Sequence, residues 1–409
     1  MKENILKFPK NFLWGAATSA HQVEGENINN DWWRWEQLGK IKDGSVSGRA
    51  CDHYRLFEND FKMARELEHN IHRLSIEWSR IEPLPGKWNL EEIDHYRKVL
   101  DSLKENNMKA MVTLHHFTNP LWFADLGGWK NKDAAFYFSR FAEFIAKELG
   151  DKIDFWITIN EPCIYTSRGY LESDWPPERR SIFAARQVMN NMAKAHRGAY
   201  RKIHQVLKNG NIDAWVGMAK NNIFYEPYCK YNPFDRILVL ILRYLTNFLF
   251  LNKIKKELDF IGLNYYFHCK SRFNPLKIRN SFAEIKNDNK KVSDFGWEIY
   301  PKGIYEVLME LKKYNKPIFI TENGVADKND VYRSKFILDH LKEIHRAIQN
   351  GVNIKGYLHW SLLDNFEWKE GFKMRFGLIE VDFKSYERRI RKSAKVFAKV
   401  CKNNSLNNL

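Results

Sequence analysis

Two glutamates end apolar, β-branched runs: Glu161 closes DFWITINE, and Glu322 follows the apolar residues of KPIFITENG. A carboxylate at the buried end of such a run is costly unless it is partnered or used. Other polar groups fall at equivalent places. Gln22 follows NFLWGAATSA, His115 and His116 end KAMVTLHHF, Asn160 precedes Glu161, and Asn264 and Tyr266 end DFIGLNYY. Two carboxylates facing one another with no metal cluster between them are what glycoside hydrolysis requires. One protonates the leaving oxygen while the other attacks or activates water, and their separation decides which. On these residues alone a two-carboxylate hydrolase, a structural ion-pair network with Arg73 and a sugar-binding module all stay open.

The adjacent His115 and His116 do not read as a metal site, because neighbours on a strand point to opposite faces and no third ligand is evident.

The elements that must position these groups repeat one pattern of apolar run, polar loop and amphipathic helix. IHRLSIEW, AWVGMAKNN and IKGYLHWSLLD bring the strand-like runs to eight. Between them lie helical patterns such as NLEEIDHYRKVLDSLKENN, where Asn89 is expected to cap the helix and Glu92 to reach back to the cap. KDAAFYFSRFAEFIAKELGD is expected to end near Gly150, DVYRSKFILDHLKEIHRAIQNG at Gly351, and SYERRIRKSAKVFAKVCKNN is expected to be the last helix. Strands that alternate with helices and read as continuous apolar runs belong in a parallel sheet covered by helices. Eight of them predict an α/β fold, a single (β/α)₈ barrel over residues 1–409. The alternative, an open doubly wound sheet, lacks both its nucleotide loop and any linker dividing the chain. In a barrel, the C-terminal strand ends that carry the polar groups form the active-site face.

The chain has 409 residues, 44% of them hydrophobic, and a formal net charge of +16. That charge would attract nucleic acid if it were clustered. The basic residues are instead spread along the chain, and runs such as Lys253 to Lys256 adjoin acidic residues, which predicts a solvated basic surface and no nucleic-acid partner. Cys51, Cys163, Cys229, Cys269 and Cys401 are odd in number and irregularly spaced, which fits a reducing, cytoplasmic compartment. Pro9 and Lys10 interrupt the apolar residues near the N-terminus, so this stretch reads as the first strand and not as a signal peptide. The apolar run from Ile237 to Leu251, interrupted by Arg243, Thr246 and Asn247, falls short of the ~20 residues that span a bilayer. It is expected to be a buried or groove-lining helix, and membrane association is not expected. DWWRWE is expected to pack a loop over the barrel, with Trp33 or Trp35 as candidates to line the cleft.

FLWGAATSAHQVEG, RLSIEWSRIEP, TINEP, DFIGLNYY, ITENG and WSLLDNFEW, in this order and within Phe12 to Asp382, resemble glycoside hydrolase family 1 throughout. The resemblance implies a (β/α)₈ barrel, a retaining β-glycosidase of the β-glucosidase, β-galactosidase or β-fucosidase type, and no cofactor or metal. It implies a β-linked glycoside or oligosaccharide substrate cut at its terminal non-reducing residue. Glu161 matches the family's acid/base and Glu322 its nucleophile. Arg73 falls beside the nucleophile, Tyr266 is placed to donate to it, and Asn264 belongs to the same catalytic group. Gln22, His116, Asn160, Glu367 and Trp368 match positions that bind sugar hydroxyls, Trp360 matches the aromatic platform under the ring, and Phe376 joins this substrate-binding set. The indole suits the C–H face of a sugar, and amide, imidazole and carboxylate suit its edge.

The physics of the pair agrees with these roles: carboxyls about 5 to 5.5 Å apart cannot both be charged cheaply, so Glu161 should hold its proton while Glu322 is ionised. The intact DNFEW argues against 6-phosphorylated sugars, and the presence of Glu161 argues against the thioglucosidase variant. Two departures stand out. Trp175 to Asp259 is shorter than in most of the family, and Phe117 stands where many members carry tryptophan, which leaves glucose against galactose open. A transglycosylase with the same two glutamates is not separable by sequence, whereas a catalytically idle sugar-binding protein is opposed by both.

Overall fold

The structure is a computed structural model describing residues 5–277 and 282–406. All eight strand-like runs form strands: β1 Leu13–Ala17, β2 Ile71–Ser75, β3 Lys109–His115, β4 Phe155–Asn160, β5 Val216–Asn221, β6 Phe260–Asn264, β7 Ile318–Asn323 and β8 Ile354–Trp360. They pair in parallel in chain order and β8 closes on β1, Tyr357 opposite Trp14 and Trp360 opposite Ala17. Short parallel strands joined by helices can bury both faces, which is why these runs are apolar almost without a break. Ile71, Met111, Ile157, Ala219, Phe260, Phe319 and Leu358 point inward and fill the barrel. The interior is therefore packed, and chemistry is confined to its mouth.

Eight long helices follow the strands: α1 His53–Glu66, α2 Leu90–Glu105, α3 Ala134–Leu149, α4 Ile182–Asn209, α5 Pro233–Ile254, α6 Lys302–Leu311, α7 Arg333–Gln349 and α8 Lys392–Asn403. Asn89 caps α2 as expected, its side chain accepting from the amides of Glu91 and Glu92. Glu92 does not complete the reciprocal half; its carboxylate accepts from the Tyr54 hydroxyl at 3.1 Å. The last helix starts later than SYERRIRKSAKVFAKVCKNN suggests. The Asp382 carboxylate binds the amides of Lys384 and Ser385 and turns the chain, so Arg388–Ile390 pairs antiparallel with Ile379–Val381 before α8 begins.

Two further expectations are corrected. DWWRWE is no loop but a short helix, Asp31–Glu36, capped by Asn30. Its buried Trp32 packs on Trp175 and Trp368, while neither Trp33 nor Trp35 lines the central cavity. The apolar run from Ile237 lies in α5, which widens at Tyr244–Phe248. Its last turns are buried through Phe250, Leu251 and Ile254, but Phe234, Ile237, Leu240, Ile241, Tyr244 and Leu245 are exposed. A segment apolar on all sides has no periodicity to tell its inner from its outer face.

Candidate active site

The ends of β3 to β8 and the loops that follow them deliver side chains to the C-terminal mouth, where they surround a cavity of about 290 Å³. Of the residues singled out in the sequence, His116, Asn160, Glu161, Tyr266, Glu322, Trp360, Glu367, Trp368 and Phe376 line it. Arg73, Asn264 and Gln22 lie behind the wall, fully buried, and act on the lining residues.

Arg73, on β2, is the hub. Its Nη1 donates to Glu322 Oε1 at 2.6 Å and to the Thr321 carbonyl, its Nη2 to Asn160 Oδ1 at 2.7 Å, and its Nε to the Thr113 hydroxyl at 3.0 Å. One guanidinium thus joins β2, β3, β4 and β7, using the fixed fork that makes arginine suited to buried pairs. Glu322 also accepts from Tyr266 Oη at 2.8 Å on its other oxygen. The chain after it passes close under β8. A Cβ on Gly324 would lie 1.8 Å from the Trp360 carbonyl oxygen, so only glycine fits there.

Glu161 sits where β4 turns into the short helix Pro162–Ser167, with φ of +43°. Left-handed backbone at a residue with a side chain is strained and recurs at functional sites. Its partner is Asn264, whose Nδ2 donates to Oε1 at 2.6 Å while its Oδ1 accepts from Thr321 Oγ1 at 2.6 Å. Burial, and then the nearby charge of Glu322, push Glu161 up to about 8. Burial also raises Glu322, but against Arg73 and the Tyr266 hydroxyl. Of the two, Glu322 has the cation and so takes the negative charge, while Glu161 keeps the proton.

Around the pair lie groups suited to a sugar. Burial and the Arg73 charge hold His116 well below the ordinary histidine value, so the ring is neutral. It accepts at Nε2 from Asn160 Nδ2 at 3.3 Å, which leaves the Nδ1 hydrogen for a ligand hydroxyl. His115, one residue earlier, faces the other way and meets Asn119 and Trp129. Gln22 touches the cavity only through Glu367, to which its Nε2 donates at 3.2 Å. Burial, and then Glu322, raise Glu367 to about 8. Trp360 and Phe376 form an apolar wall with Tyr266, Phe295 and Trp297. Among the described residues no cluster of three His, Cys, Asp or Glu side chains is arranged to hold a metal ion.

Sequence reading missed part of the lining. Asn221 ends β5 and lines the cavity, the same position in the pattern that singled out Asn160 and Asn264. Trp175, Phe295 and Trp297 come from long loops with no periodicity to mark them, and Ile223 from the two-residue link between the strands Val216–Asn221 and Phe224–Pro227. Lys220, also missed, is buried, donates to the Asn221 carbonyl, and its charge counteracts the upward shift of Glu161. Phe117, the noted departure, lines the cavity and packs its ring on Trp175 and Trp368.

Comparisons with known proteins agree with this geometry. The model of Glycosyl hydrolase family 1 matches residues 5–250 and 249–406. The chain is 33% identical to the 1,4-beta-D-glucan glucohydrolase of Thermotoga neapolitana, with 98% of this chain and 99% of that protein aligned. It is likewise 33% identical to a beta-galactosidase of Pyrococcus woesei, with 98% of each covered. Among solved structures, a beta-glycosidase from Pyrococcus horikoshii superposes with a TM-score of 0.91 at 40% identity, covering 98% of this chain and 96% of that one. A barrel with two differently partnered carboxylates at its mouth, and relatives aligned over nearly the whole length, lead to one conclusion: the chain belongs to glycosyl hydrolase family 1 and is a retaining β-glycosidase.

Proposed function

We propose that Glu322 is the nucleophile and Glu161 the acid/base in the hydrolysis of unphosphorylated terminal β-D-glycosyl residues of the glucoside, galactoside or fucoside type. The observation that carries this reading is the asymmetry of the two buried carboxyls, one paired with the Arg73 guanidinium and the other held by the neutral amide of Asn264. The Glu322 carboxylate attacks the anomeric carbon while Glu161 passes its proton to the glycosidic oxygen, and the aglycone leaves as an alcohol. The glycosyl ester carries no charge on Glu322, so the repulsion that raises Glu161 disappears. Glu161, now a carboxylate, takes a proton from water as the water oxygen attacks the anomeric carbon. The ester bond breaks, both residues return to their starting forms, and the sugar regains its β configuration. His116, Asn160 and Glu367 pair with the sugar hydroxyls, Gln22 steadies Glu367, and Trp360 covers the ring.

Ile164, Ile223, Phe267 and Trp297 line the same cavity and support an aryl or alkyl aglycone. Five cysteines standing as free thiols support work in a reducing cytoplasm. The test is a panel of aryl β-glucoside, β-galactoside, β-fucoside, β-mannoside and 6-phospho-β-glucoside with wild type and Glu322→Ala. Turnover of an unphosphorylated member, lost in the variant, is expected. Binding without turnover by the folded wild type would make it a sugar-binding protein. Alkyl glycoside as the main product when an alcohol is added would make it a transglycosylase.

A further inference from the structure

Helix α5 turns its apolar side away from the protein. Phe234, Ile237, Leu240, Ile241, Tyr244 and Leu245 are 45% to 61% exposed. At about 100° per residue they form one continuous stripe, the reverse of an ordinary surface helix. The opposite stripe is anchored: Leu238 and Val239 are buried, and the buried Asp235 carboxylate accepts from the amides of Cys229 and Phe273. The apolar surface continues past the helix start, where Phe234 stacks on Phe273 and Phe273 meets Phe282, and Leu276 in the adjoining turn is 88% exposed. Exposed cations flank it. Lys230, Arg236, Arg272 and Lys277 stand on the same segments, and among the described residues none of them is ion-paired with a carboxylate.

We propose that this face docks on the surface of an anionic lipid bilayer. The apolar stripe would enter the boundary between headgroups and acyl chains, while the surrounding cations meet lipid phosphates, the pattern of an interfacial helix. A spanning role does not fit. At 22 residues α5 is long enough, but its inner side is bonded to the rest of the protein, Asp235 to the amides of Cys229 and Phe273 and Asn247 to the backbone of Ile223. A second copy fits poorly as well, because a contact between two such faces would bring two sets of exposed cations together on a chain of net charge +16. The docked face is tied to the active site: Asn247 of α5 donates to the Ile223 carbonyl at 2.8 Å and accepts from its amide at 3.0 Å, and Ile223 lines the cavity. Docking would hold the cleft at the membrane surface.

The experiment is co-sedimentation with vesicles of phosphatidylglycerol and phosphatidylcholine, or of phosphatidylcholine alone, using wild type and the triple variant Ile237→Ser, Leu240→Ser, Ile241→Ser. Wild type should sediment with the anionic vesicles, with at least tenfold weaker partition for phosphatidylcholine alone or for the triple variant. The variant should keep its activity on a soluble aryl glycoside, because these side chains lie outside the cavity. If the triple variant fails to fold, Arg236→Glu alone should weaken binding to anionic vesicles. Wild type left in the supernatant, or a triple variant that binds as well as wild type, would overturn the proposal. A concentration-dependent dimer abolished by the triple variant, without vesicle binding, would assign the face to a second copy instead.

Discussion

Arg73 Nη1 lies 2.6 Å from Glu322 Oε1, whereas among the described residues the one side-chain donor to Glu161 is the neutral amide of Asn264. That difference decides which carboxyl is charged, and it sets a pH profile. With the proposed roles, reaction of the free enzyme requires Glu322 ionised and Glu161 protonated, so kcat/KM should be bell-shaped. The basic limb belongs to Glu161, near 8. The acid limb belongs to Glu322, above the ordinary carboxylate value because of burial. With Glu161→Ala and an activated aryl glycoside, which needs no leaving-group proton, the basic limb should vanish from kcat/KM. A limb that stays near 8 would belong to Glu367, which has a similarly raised value.

Lys220 opposes the upward shift of Glu161 from behind β5. Replacing it by methionine keeps most of the buried volume and removes the charge. The basic limb of kcat/KM should then move upward from about 8, because an anion without a nearby cation is harder to form. A purely structural lysine would lower the melting temperature and leave that limb where it is.

Glu367 should trade stability for binding. Its carboxyl is buried and its folded value, about 8, lies above the 4.5 of an unfolded chain. A group raised on folding contributes its full stability below the unfolded value and loses it as pH rises through the folded one. Glu367→Gln should therefore melt higher than wild type, by little at pH 5 and by several degrees at pH 8, while kcat/KM falls through loss of the sugar contact. Thermal scans at the two pH values check this; a gap that shrinks toward pH 8 would reverse the sign.

Gly324 tests the backbone that carries the nucleophile. The methyl of Gly324→Ala would meet the Trp360 carbonyl, which is backbone and cannot swing aside. Overpacking of this kind costs about 1–3 kcal/mol. Because the displaced atoms belong to the sugar platform, KM as well as the melting temperature should change. Unchanged kinetics in a destabilised variant would show that the platform had not moved.

The barrel was legible because eight continuous apolar runs alternate with amphipathic helices, and every strand run became a strand. That Glu161 and Glu322 meet at one cavity was legible because a buried carboxylate closing an apolar run must be partnered or used. What local pattern does not record arises from contacts distant in sequence, and the place of Arg73 beside Glu322 came only from the family resemblance. Arg73 reaches Thr321 and Glu322 across the barrel, a link between residues 248 and 249 positions apart that no local pattern records. Phe295 and Trp297 reach the cavity from a loop without period, and Glu92 gave up its capping role to a tyrosine on another helix. The outward face of α5 was illegible for a simpler reason: Leu238 and Ile237 look alike in sequence, yet one is buried and the other exposed.

The assignment of the two glutamates can be separated by stereochemistry, using azide as a small nucleophile that needs no general base. In Glu322→Ala the space left by the carboxylate lies on the face opposite the leaving group. Azide entering there displaces the aglycone once, with inversion, while Glu161 still supplies the proton, and the product should be the α-glycosyl azide. In Glu161→Ala the nucleophile is intact, so an activated aryl glycoside still forms the glycosyl ester on Glu322, but no base remains to activate water. Azide then enters from the side Glu161 occupied, inverts the ester a second time, and should give the β-glycosyl azide. With substrates whose leaving group needs a proton, Glu161→Ala should lose roughly 10²–10⁴-fold in rate. Proton NMR of the anomeric hydrogen distinguishes the two azides, and the opposite pairing of variant with product would show that the two roles are exchanged.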